Sequence, residues 1–168
     1  MTTTTTGLLK SALNGEGWNV SDETLEEVIA EMKVPVSLSS VRQELLNSDL
    51  REIGSKALPK TAGANASPKL LPGGKGAIVL QVSSVKNIAK SQRVSVADCL
   101  EDNGGEGKRL LILILTDGDS TCKGIEFVPF PAALASSLAP GVKVKVEGST
   151  DVKNGFVLLS DRNMTVLG

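Results

Sequence analysis

The sequence predicts an α+β protein, a small N-terminal helical bundle followed by a five-stranded OB-fold β-barrel with an enlarged strand 1–2 loop. Three observations carry this expectation. Apolar residues recur at helical spacing up to about residue 58, and from residue 77 the pattern changes to that of strands. A short alanine-rich segment then separates the third predicted strand from the fourth, which is the element order of an OB barrel. The predicted organisation is a helical module over 1–60, a linker over 61–76, and an OB-fold domain over 77–168 with an insertion loop over 89–108.

Within the helical module, TGLLKSAL reads as a first helix ended by Asn14 and Gly15. Ser21 suits an N-cap for DETLEEVIAEM, whose acidic first turn complements the helix dipole. Leu25, Val28, Ile29 and Met32 form one apolar stripe, and Val34-Pro35 stops the helix. Ser40 to Gln43 matches a capping box opening VRQELLNSDL, and Leu45, Leu46, Leu50 and Ile53 continue an apolar face. Trp18 is expected to pack among these helices, because so large an apolar group gains most from burial. Residues 60–76 are rich in Gly, Ala, Ser and Pro; PGGKG lacks the spacing of a phosphate loop.

The predicted strands are AIVLQVSSVKNI, RLLILILTD, TCKGIEFV, VKVKVEGSTDVK and FVLLSDRNMTVLG. PFPAALASSLAPG supplies the helix between the third and fourth, and Asn154-Gly155 is a strong primed-turn signal before the fifth.

Composition excludes several chemistries. Histidine and tyrosine are absent, so imidazole-based acid/base, triad and metal chemistry is closed to this chain. Lys plus Arg is 18 and Asp plus Glu is 19, a balance that argues against a protein devoted to gripping polyphosphate. Two cysteines make neither a CxxC pair nor a disulfide framework, no apolar run reaches the ~18 residues of a membrane span, and MTTTTTG is unlike a signal peptide. These features predict a soluble intracellular protein, or a fragment of one. No cofactor is implied.

The stretch TDGDSTCKGIEF superficially suggests a metal loop. An EF-hand would need Asp or Asn at its fifth position and Gly at its sixth, where Thr121 and Cys122 stand. Asp-Gly between two apolar strands is instead a turn signal, and Cys122, with no histidine to activate it, is expected to point into the sheet.

Two features exceed a plain barrel. Leu110 to Leu115 is apolar without alternation, so its outward face needs cover from the helices or from a partner. The connection after the first strand, Ala89 to Lys108, is too long for an ordinary loop. Its apolar residues Val94, Val96, Cys99 and Leu100 either fold back onto the barrel or wait for a groove elsewhere. With Arg93 and Asp98 they form the candidate partner-binding set. A single-strand-binding OB module is a further alternative, but Phe127 is the only ring on strands two and three, which excludes strong stacking there.

DLREIGSKALP, LTDGDSTCKGIEF and PGVKVKVEGSTDVKNGFVLLSDRNMTVLG together resemble the N-terminal part of the RecQ-mediated genome instability family, and its Tudor-domain relatives more closely. The resemblance implies a non-catalytic subunit that docks on a type IA enzyme, DNA topoisomerase III-beta, through its barrel. The loop, Lys90 to Lys108, reaches toward the enzyme's gate with Val94, Val96 and Leu100 as anchors. Nucleic acid is then met mainly through the topoisomerase, in nucleus and cytoplasm, and no membrane is involved. The alternative within the resemblance is a subunit of a topoisomerase III-alpha and RecQ helicase assembly. The chain is expected to be the docking fragment of a longer protein.

Overall fold

The structure is a computed structural model that describes residues 2–59, 68–89 and 109–168. Four helices open the chain: α1 Thr2–Gly15, α2 Asp22–Glu31, α3 Leu38–Asn47 and α4 Leu50–Ile53. Ser21 caps α2 as expected, its Oγ accepting from the Thr24 N–H at 3.1 Å. The capping box of α3 lies three residues earlier than the sequence pattern suggested. Ser37 is the N-cap, accepting from Ser40 N at 3.1 Å, while Ser40 Oγ accepts from Ser37 N at 2.9 Å. A serine hydroxyl both donates and accepts, so Ser40 fills the role usually given to Glu or Gln.

The apolar face expected over Leu45 to Ile53 is delivered by two helices. The chain breaks at Ser48, and Asp49 starts α4 by accepting from Arg51 N at 2.9 Å. Trp18, only 2% exposed, packs with Leu13, Val20, Leu25, Val41, Leu45 and Leu50 in the helical core.

The strands are β1 Ala77–Asn87, β2 Leu111–Thr116, β3 Thr121–Glu126, β4 Lys143–Glu147, β5 Val152–Lys153, β6 Phe156–Leu159 and β7 Met164–Val166, with α5 Ala132–Ser137 between β3 and β4. They form one curled mixed sheet in the order β5-β6-β3-β2-β1-β4-β7. The five expected strands are all present, but the fourth is divided into β4 and β5 and the fifth into β6 and β7. The division has a physical reason. β4 pairs with β1, whereas β5 pairs with β6, so one stretch of chain turns a corner to serve both sides of the barrel. Gly148 stands at that corner, where an added Cβ would press on the Lys75 and Gly76 carbonyl oxygens.

Part of the Gly/Pro-rich segment is built into the barrel. Leu70 N donates to Thr150 O at 2.9 Å, Leu71 N to Gly148 O at 3.1 Å, and Val152 N to Pro68 O at 3.0 Å. Leu70 is buried in the barrel core. Residues 60–67 lie outside the described residues. Inward positions of alternate residues, such as Ile78, Leu80, Val82, Leu113, Leu115, Val144, Val146, Val157 and Leu159, fill the barrel. Asn154 (φ 51°) and Gly155 (φ 79°) make the primed turn that the sequence signalled.

The helices cover one half of the barrel's outer face. Val79 of β1 enters the helical core, and its N–H donates to Gly17 O at 2.8 Å. Gln81 accepts from Leu50 N at 2.8 Å and donates to Asp49 Oδ1 at 3.0 Å, while Lys143 Nζ donates to Leu46 O at 2.9 Å. Burial lowers the Lys143 pKa, against the opposing pull of Asp49. Asp49 itself is held well below the usual carboxylate range by the side-chain hydrogen bond from Arg51.

Candidate docking face

The other half of the outer face lies on β2, β3, β6 and the C-terminal end of β1. Burial alternates along β2: Leu111, Leu113 and Leu115 are buried, while Ile112 and Ile114 are only half-buried. Register extends these outward positions into rows. Lys86, Ile112, Ile125 and Leu158 form one, and Ser84, Ile114, Lys123 and Phe156 form the next. Ile112, Ile114, Ile125, Phe156 and Leu158 belong to neither core cluster, so the described helices do not supply the cover that β2 needs. At the open end of this face stand Ile88 and Phe127, 51% and 65% exposed, with Val128 at 45% beside them. Scattered exposed apolar residues are ordinary, but a contiguous set at one end of a sheet marks a contact surface.

The same end carries the roots of the insertion loop. Asn87 Oδ1 accepts from Ala89 N and Leu110 N, each at 3.1 Å, and Ile88 N donates to Leu110 O at 2.9 Å. Glu126 is buried beneath the return strand. It accepts from Arg109 Nε at 3.1 Å, Leu111 N at 3.1 Å and Phe130 N at 2.7 Å, and Arg109 Nη2 donates to Phe130 O at 2.6 Å. Burial opposes ionisation of Glu126. Arg109 and the two backbone N–H donors outweigh burial and hold its carboxyl below the ordinary range. No local pattern of residues marks this pair, because Arg109 and Glu126 meet only through the antiparallel pairing of β2 with β3.

The TDGDS stretch is a turn, as its residues predicted, and Asp117 does more than turn the chain. Buried to 2% exposure, it accepts from Asp119 N (2.9 Å) and Ser120 N (2.6 Å) inside the loop. Its other oxygen accepts from Ala57 N (2.8 Å) and Leu58 N (2.7 Å) at the exit of the helical module. Burial alone would raise its pKa; the four N–H donors overcome it and keep the carboxylate ionised. Cys122 faces inward, and burial pushes its thiol up to about 12, so it is no nucleophile at neutral pH. Among the described residues no group of three or more His, Cys, Asp or Glu could hold a metal ion.

The predicted partner contacts Arg93, Val94, Val96, Asp98, Cys99 and Leu100 lie outside the described residues. What sequence reasoning missed is the sheet face at the foot of their loop. The aliphatic run of β2 hinted at it, but Ile125, Phe127, Phe156 and Leu158 join that face only through strand register.

Fold and face together define an OB-fold interaction module with a helical buttress. The family model described as "RMI1, N-terminal OB-fold domain" matches residues 52–168, and the chain belongs to that family. It is 36% identical to Tudor domain-containing protein 3 of Danio rerio over 161 residues, which covers 95% of this chain and 20% of that protein. It is 34% identical over 123 residues to Tudor domain-containing protein 3 of Xenopus tropicalis, covering 73% of this chain and 16% of that protein. It is 30% identical over 145 residues to RecQ-mediated genome instability protein 1 of Danio rerio, covering 76% and 27% respectively. The chain therefore spans about a fifth of the length of these relatives.

Proposed function

We propose that this chain is a non-catalytic docking and regulatory module that binds DNA topoisomerase III-beta through its OB-fold and insertion loop. The observation that carries the reading is the open end of the sheet. Ile88, Leu110, Ile112, Ile125 and Phe127 present an aliphatic and aromatic surface where the loop leaves and re-enters the barrel. The family and its Tudor-protein relatives support the choice of a macromolecular partner. The anchored roots at Asn87 and Arg109–Glu126 supply a rigid base from which a loop can reach a partner at low entropic cost. A loop bound near a moving gate shifts that gate's populations only through unequal affinity for its states, so regulation requires such a difference. The proposed setting is the nucleus and cytoplasm, with nucleic acid engaged mainly by the topoisomerase.

The test is retention of purified topoisomerase III-beta on immobilised chain, with III-alpha in parallel. The intact chain retains III-beta. Deleting residues 90–108, or combining Ile88→Asp with Phe127→Asp, reduces retention at least about tenfold while leaving the melting transition in place. Undiminished retention by both variants removes the docking face from the account. Stronger retention of III-alpha shifts the reading to the RecQ helicase assembly.

A further inference from the structure

The covered half of the barrel has a cleft of its own, where the helical module meets β4 and the chain just after β7. It holds about 310 Å³ and is lined by Trp18, Leu46 and Leu167 together with Glu16, Arg42 and Lys145. Its walls are fixed to the barrel. Lys143 Nζ donates to Leu46 O, and the Lys143 main chain accepts from Leu167 N at 2.8 Å and donates to Gly168 O at 2.6 Å. Gly17, at φ 96°, brings the turn before Trp18 against β1, where a Cβ would meet Ala77 O at 2.9 Å. Arg42 stands one turn before Leu46 on α3 and is held by Glu16, whose carboxylate accepts from its Nε at 2.9 Å and from its Nη2. The cleft is therefore preformed.

Its polar groups are unevenly matched. Arg42 and Glu16 satisfy one another, but Lys145 makes no ion pair or side-chain hydrogen bond among the described residues. Its neighbours across β1 and β7 are Val79 and Thr165, neither of them charged. Glu147, two positions along β4 on the same face, is not paired with it either. Trp18 is 2% exposed, and its indole N–H has no acceptor among the described residues. A buried indole N–H ordinarily finds a partner. Two unmatched donors beside apolar walls call for an acceptor that carries its own apolar group.

We infer that this cleft is a docking site for a short acidic segment of a partner protein, one with a leucine or phenylalanine beside a carboxylate. The apolar side chain packs against Leu46, Leu167 and Trp18, and the carboxylate lies against Lys145. Pockets that enclose a small molecule begin at about 300 Å³, so this cleft suits one anchoring side chain and its neighbouring charge. The charged groups around it carry one net positive charge, which attracts an acidic segment and repels a basic one. Preformed walls spare the ordering cost of binding. β4 and β7 stand at the opposite end of the strand order from β3 and β6, so occupancy of the cleft does not require the insertion loop or the open face.

The experiment follows the fluorescence of Trp18, the single tryptophan, as capped peptides are added to the whole chain. The probes are DDLFDD, with DDAADD and KKLFKK as controls. DDLFDD is expected to shift the emission saturably and to bind at least about tenfold more tightly than either control, the share of a buried anchor and of charge. Lys145→Glu weakens DDLFDD at least about fivefold and strengthens KKLFKK. Lys153→Glu, the same charge change at the far end of the sheet, leaves both titrations unchanged, as does deletion of residues 90–108. That deletion separates this site from the topoisomerase reading, which requires the loop. Thermal melts by circular dichroism establish that each variant is folded. Absence of a saturable shift with DDLFDD overturns the site. Equal binding of DDAADD, or equal weakening by Lys153→Glu, overturns it as general attraction to acid. Phenylacetate binding as tightly as DDLFDD overturns the peptide and makes the cleft a small-molecule site.

Discussion

Val79 and Ile112 are both aliphatic residues on the outer face of one sheet, yet they live in different surroundings. Val79 is 4% exposed, closed over by Trp18 and the helices, whereas Ile112 is half-buried and packs into neither core. The difference teaches that the helical module is a partial buttress. It covers β1 and the β4 side, where Gln81 and Lys143 tie it down with hydrogen bonds to Leu50 N and Leu46 O. It leaves the β2–β3–β6 side free. A barrel this small would gain stability by covering both sides, and among the described residues nothing covers the second one.

Four substitutions break or sharpen this contrast. Val79→Asn buries an amide among apolar side chains without partners and is expected to cost on the order of 3 kcal/mol by urea unfolding. A cost near zero would mean that the helices are only loosely seated on the barrel. Next is Asp117→Asn, which replaces a carboxylate serving four N–H donors with a neutral amide of which one end cannot accept. About 2 kcal/mol is expected, together with a changed pH response.

Asp117 and Glu126 both have folded pKa values below their ordinary ones. Their stabilisation is therefore complete above the unfolded values near pH 4 and is lost as pH falls through the lower folded values. Urea midpoints measured from pH 7 down to pH 2 should decline in the unaltered chain below about pH 4, and decline less steeply with Asn at 117. Parallel curves would remove Asp117 from the acid response.

Ile112→Asn, the counterpart of Val79→Asn on the open half, should cost only about 1 kcal/mol, since less apolar area is withdrawn from contact. If the two asparagines prove equally damaging, the open half is covered after all and the comparison fails. Smallest of all, Phe127→Asp should change stability by no more than about 0.5 kcal/mol, as expected for an exposed position. Its combination with Ile88→Asp is nonetheless the variant that should release the proposed partner.

Much of the local structure was legible in advance. The Ser21 cap, the Trp18 core position, the inward Cys122 and the Asn154-Gly155 turn each follow from one residue and its immediate neighbours. The errors lie where a feature depends on something distant or on two equivalent neighbours. Ser37 and Ser40 are both competent caps, and only the course of the chain from Pro35 decides between them. The division of the fourth strand at Gly148 depends on which strands lie to either side. Of the candidate site, the loop was visible as a length and composition anomaly. The face beneath it was visible only in part, as the unbroken aliphatic run of β2.

By itself the sequence determined the fold class, the order of elements, the absence of imidazole chemistry, and the presence of more apolar surface than one small barrel can use. These follow from periodicity, residue type and turn chemistry, which act over a few residues. Tertiary structure alone decided which half of the barrel the helices cover, that Asp117 joins the turn to Ala57 and Leu58, and that Phe156 lies between Lys123 and Lys153. Those facts arise from pairings between residues far apart in the chain. Such contacts are selected by how whole elements pack and close the barrel, and no local pattern of residues encodes that choice.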